Sequence, residues 1–172
     1  LTVVGVLGAC AAHLCVIEYQ KRGLPHAHIL LILRGHERIH TAAKLDQIVS
    51  AELPPPHSPL FKLVTEHMIH TDCSGRKGCA CYSEKRKGCR YGFPKQYCEH
   101  STFRDTEIYP NYRRRPPITT DCPSNGNCFY YVDEKGREIN NRWVAPYNPY
   151  LLSKYQSHLN VEACASQVAV KY

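Results

Sequence analysis

The sequence predicts an α+β chain with a metal-stapled insertion, on three observations. Two strand-like runs flank a short Gly/Pro turn in the first forty residues. Amphipathic helical stretches follow that hairpin. Residues 70–100 are rich in Cys, Lys and Gly and carry too few apolar side chains to build a core unaided.

The hairpin consists of residues 14–20 (LCVIEYQ), a turn at 21–25 (KRGLP) and a second strand at 26–33 (HAHILLIL). Thr41 reads as a helix cap, with apolar positions at Leu45, Ile48, Val49 and Leu53 and a stop at Pro54, Pro55 and Pro56. A second helix is expected from about Leu60 to Ile69. Residues 101–142 read as polar and loop-like. Residues 161–172 (VEACASQVAVKY) read as a helix.

A length of 172 residues suffices for one core, or one core and a small satellite. Apolar residues at 43% and charged residues at 22% argue against disorder as the default. No apolar run is long enough to span a membrane, so no membrane partner is expected. A net charge of +7 suits a polyanionic partner, because Lys and Arg displace counterions from phosphates. Ten cysteines would suggest disulfides in a secreted chain. Here no secretory leader is evident, five of them cluster between Cys73 and Cys98, and histidines sit among them, a pattern closer to zinc in a reducing compartment.

Within that cluster His70, Cys73, Cys81 and Cys89 are the expected zinc ligands, three thiolates and an imidazole suiting a tetrahedral structural ion. Cys79 competes for the Cys81 position, and His67, Cys98 and His100 are further candidates. Such a zinc would hold a basic loop containing Lys85, Arg86, Lys87 and Arg90 against DNA.

Side chains two apart on a strand share a face, so His26 and His28 point the same way. With Gln20 opposite His26 and Glu18 opposite His28, all four share that face. Two imidazoles plus an amide or carboxylate oxygen suit a divalent cation with positions left for phosphate or water. Gln20 is the preferred third ligand and Glu18 the next. The plainer alternative is a His pair that only hydrogen-bonds its neighbours.

The run EYQKRGLPHAHILLIL at 18–33 resembles the His-hydrophobic-His (HUH) motif of Helitron-like replication-initiator transposases. HMIHTDC at 67–73, GCRYGFPK at 88–95 and the stretch from NNRWVAPY to VAVKY at 140–172 are similar to further motifs of that family, in the same order. The resemblance implies an antiparallel sheet flanked by helices, as in replication initiators. It also implies single-stranded DNA as partner, Mg2+ or Mn2+ at the His pair, and a tyrosine that forms a 5′-phosphotyrosine and releases a 3′-hydroxyl. Tyr172 matches the first of the family's two tyrosines. The second, and an upstream strand motif, are not found, so residues 1–172 are expected to be an incomplete HUH nuclease domain with a zinc-binding insertion at 67–100. A helicase region in the same full-length protein and a nuclear location are further implications.

Lys21, Arg22 and Lys171 flank these motifs and are expected to contact phosphate. Arg113, Arg114 and Arg115 stand beside Tyr109 and Tyr112, an interleaving that suits single strands, where phosphates pair with Arg and bases stack on rings. Trp143 and Tyr147 are expected in the core. Two other readings stay open: a non-catalytic zinc-containing DNA-binding module from a decayed or repurposed transposon, and a metal hydrolase that uses water.

Overall fold

The computed structural model describes residues 3–19, 24–70, 81–103, 109–117 and 130–164. The chain is a mixed α/β structure of small antiparallel sheets and helices, dividing into two compact units, Leu1–His40 and Thr41–Tyr172. Among the described residues no helix is long and apolar enough to cross a membrane.

The first unit holds a short helix α1 (Val3–Val6) and the strands β1 (Cys10–Tyr19) and β2 (Pro25–Leu33). The strands pair antiparallel from Cys10↔Leu33 to Tyr19↔Pro25, with an irregularity between Cys10 and Ala12. Apolar residues occupy both faces. Leu14, Val16 and Ile32 lie on the face of His28, while Ile17, Tyr19 and Ile29 lie on the other, and all are exposed.

In the second unit, α2 (Ala42–Ile48) starts where Thr41 accepts a hydrogen bond from the Lys44 amide (3.2 Å). It ends at Ile48, short of the Leu53 that periodicity suggests. The Ser50 amide donates to the Tyr147 carbonyl and the Tyr147 amide to that of Ser50, both at 2.8 Å, while the Leu53 amide donates to Asn141 Oδ1 (2.7 Å). Extended pairing thus satisfies groups that a longer helix would have bonded internally. Helices α3 (Pro59–His67) and α4 (Pro149–Tyr155) both carry Pro at the first turn, and Ser58 and Asn148 cap them. They pack on one another around Leu53, Val64, Met68, Val144, Tyr147 and Leu152. Tyr147 is buried as expected, but Trp143 only half so.

Two hairpins complete the unit: β3 (Tyr82–Ser83) with β4 (Gly88–Cys89), and β5 (Tyr131–Val132) with β6 (Glu138–Ile139). Residues 161–164 are not helical, since Val161 donates to the Pro146 carbonyl and Ala163 to the Tyr112 hydroxyl. Residues 165–172 lie outside the described residues.

The polar segment expected to be loop-like carries a central structural residue. Arg114 is only 3% exposed, and its Nη1 donates to the carbonyls of Ala51 (3.2 Å), Asn141 (2.7 Å) and Val144 (2.6 Å). Arg114→Lys keeps the charge but not the planar fork and strands buried carbonyls. We expect it to destabilise the fold by about 3 kcal/mol, read as a lower urea midpoint.

Candidate metal centres

The first candidate centre lies on the hairpin. Glu18 pairs with His26 and Val16 with His28, so the register is displaced by two residues from the expected Gln20↔His26. The ladder closes at Tyr19↔Pro25, where a proline opening the strand withholds no ladder donor. A displacement of two preserves the alternation of faces, so Glu18, His26 and His28 still share one. Glu18 Oε2 and His28 Nε2 stand 3.0 Å apart, both side chains more than half exposed (64% and 51%). Adjacent ligands of an octahedral cation bonded at about 2.1 Å lie about 3 Å apart, so this pair has the spacing of two metal donors as well as of a hydrogen bond. The register thus places Glu18, and not Gln20, directly opposite His26. Gln20, Lys21 and Arg22 lie outside the described residues.

The second centre is in the other unit. Among the described residues one group of three donors brings its ligand atoms within 4.8 Å of one another: His70, Cys81 and Cys89. The hairpin donors do not reach that closeness. His70 follows α3 and is fixed by its amide, which donates to the Trp143 carbonyl (2.8 Å) beside the Ile69↔Val144 bridge. Its ring stacks on Phe93, with centroids 4.2 Å apart and planes at 12°, and meets Tyr91 edge-on. Cys81 and Cys89 flank the β3–β4 hairpin, their Sγ atoms 3.6 and 3.3 Å from His70 Nε2. Cys73 and Cys79, the competitor for the Cys81 position, lie outside the described residues, as do Lys171 and Tyr172.

Residues 1–31 match the family model of the Helitron helicase-like domain at N-terminus. This stretch, which contains Glu18, His26 and His28, is similar to the N-terminal region of Helitron helicase-like proteins, and the likeness points to a transposon-related function. No curated protein matches the chain.

Beyond the Helitron-like stretch, the arginine triplet departs from expectation. Arg114 is buried as described above. Arg113 reaches Asp46 (3.4 Å) and Glu52 (3.3 Å), and Arg115 holds Glu52 through Nε (2.9 Å) and Nη2 (2.8 Å). Glu52 is 2% exposed, so its charge needs these partners. Arg114 is thus withdrawn from the surface, whereas Arg113 (34% exposed) and Arg115 (31%) pair with acids and stay partly accessible. Burial lowers the Arg114 pKa to about 10, which still leaves it charged at neutral pH.

Composition also hides Glu162. Its Oε2 is shielded from solvent and has no hydrogen-bond partner among the described residues. Burial raises its pKa, opposed by hydrogen bonds from Tyr112 and Asn160 and by the charges of Lys95 and Arg114. The folded state thus keeps a proton that the unfolded state has already lost. Stability from this group is full below the ordinary glutamate value and falls as pH rises through the raised one. Glu162→Gln should flatten that decline and raise the urea midpoint at neutral pH, measured from about pH 4 to about pH 8.

Proposed function

We propose that this chain serves metal-dependent nicking and rejoining of single-stranded DNA in rolling-circle transposition, through a covalent phosphotyrosine. The observation that carries the reading is the coincidence of the Helitron-like match with the hairpin that presents Glu18, His26 and His28 on one face. Two imidazoles and a carboxylate suit Mg2+ or Mn2+. When bound, such a cation supplies Lewis-acid polarisation of a phosphodiester oxygen. Glu18 and His28 would hold it and His26, from the same face, would turn in as the third donor. The Tyr172 oxygen would attack phosphorus and lose its proton. The bond from phosphorus to the 3′-oxygen would break, leaving a 3′-hydroxyl and a 5′-phosphotyrosine. Chromosomal DNA as substrate places the work in the nucleus, and a helicase region in the same protein would supply the single strand.

A second reading, a DNA-binding module without catalysis, draws on the contrast between the two centres: the His/Cys/Cys donors converge and the hairpin donors do not. A denaturing gel of the chain with labelled single-stranded DNA and manganese separates the readings. We expect a DNA-linked protein band that falls at least about 100-fold in His28→Ala and is lost in Tyr172→Phe. Cleavage without an adduct would indicate a water-using hydrolase. Binding with neither would favour the module.

In this reading the β3–β4 turn would add phosphate contacts. Lys85 and Lys87 are exposed at the β3–β4 turn, whereas Arg86 is committed to the Arg90 carbonyl (2.9 Å). In a salt titration of single-strand binding, Lys85→Ala and Lys87→Ala should each reduce the slope of log affinity against log salt by about 0.7. Unchanged slopes would exclude the turn from the interface.

A further inference from the structure

We propose that His70, Cys81 and Cys89 bind one zinc ion, and that this ion holds the β3–β4 hairpin on the second unit. The proposal is independent of the hairpin chemistry above.

Three observations converge on it. The first is distance. A tetrahedral zinc with bonds of about 2.3 Å to sulfur and about 2.05 Å to nitrogen has a sulfur–nitrogen edge of about 3.5 Å. The two edges here are 3.6 and 3.3 Å. The second is direction. Both sulfurs approach the same nitrogen, Nε2. A neutral imidazole nitrogen has one in-plane lone pair, so hydrogen bonding alone serves one thiol well and the other poorly. An ion at the centre serves all three donors. The cysteines are not joined to each other as a disulfide. The third is a missing core. Between residues 81 and 100 only Cys89 is buried, at 6% exposure, and the β3–β4 ladder has two residue pairs. A hairpin of that size is not stable by itself.

Thiolate-rich donors select zinc over magnesium or calcium. The ion would join two otherwise separate pieces of backbone. His70 adjoins the bridge between Ile69 and Val144, and Val144 is part of the core. Cys81 and Cys89 begin and end the basic turn, with the Arg90 amide closing on the Cys81 carbonyl at 2.7 Å. Holding these together presents Lys85 and Lys87 from a fixed base.

The test uses the reduced chain, zinc-free and then titrated with zinc or cobalt. Zinc should shield Cys81 and Cys89 from alkylation, read by peptide mass, while the exposed Cys15 and Cys164 still react. Cobalt should give a thiolate charge-transfer band saturating at one equivalent. The band should weaken in Cys89→Ser and His70→Ala and persist in Cys98→Ser, whose sulfur is turned to the His100 carbonyl (2.7 Å). Equal alkylation of Cys81 and Cys89 with and without zinc would overturn the proposal in the native chain, whatever the variants do. So would an unchanged cobalt band in Cys89→Ser. Alkylation and the cobalt band read the His/Cys/Cys donors directly, without DNA or cleavage, so either reading can fail alone.

Discussion

The second unit depends on a buried positive charge. Arg114 draws together carbonyls from the segment after α2 and from the turn before α4, two stretches about ninety residues apart in sequence. Its neighbours take the complementary task, since Arg113 and Arg115 close on the buried Glu52, whose own segment provides the Ala51 carbonyl. Charge is thus handled in a layer: one cation inward against carbonyl dipoles, two cations sideways against a carboxylate. The cost of burying Glu52 and Arg114 is offset only while the set is complete.

This arrangement also supports the His/Cys/Cys group. Phe93 lies between the two, stacked on His70 and facing the Arg114 guanidinium at 6.0 Å. The Lys95 amide donates to the Arg142 carbonyl and Arg142 Nε to that of Lys95, fixing the segment that carries Phe93. An imidazole clamped by a ring on one face and by a backbone bridge behind has little rotational freedom. That is the condition for a metal donor to be ready before the metal arrives.

The sequence made some of this legible and hid the rest for identifiable reasons. The His face of the hairpin was readable because alternation has a period of two, and a two-residue error in register leaves the face unchanged. Spacing placed His70, Cys81 and Cys89 together in one expected set, because ligands brought into a short hairpin are close in sequence. The burial of Arg114 and the acid pairing of Arg113 and Arg115 were hidden because a run of three like charges reads as surface, and the acids, Asp46 and Glu52, come from more than sixty residues away. The end of α2 was hidden for the same reason: the partner that claims Ser50 is Tyr147. Local pattern reports which face a residue shares, while long-range pairing decides whether that face is dry.

The hairpin of the first unit has a consequence for how the molecule behaves in a crowded solution. Its strands span ten and nine residues, with aliphatic side chains on both surfaces. Among the described residues each strand is paired along only one edge. Long, flat, apolar strands with open edges are templates for adding further strands. Lys21 and Arg22 put positive charge next to the end of β1, and like charges oppose the stacking of identical copies. Added salt screens such repulsion, so pairing of identical copies along these edges is favoured as salt rises.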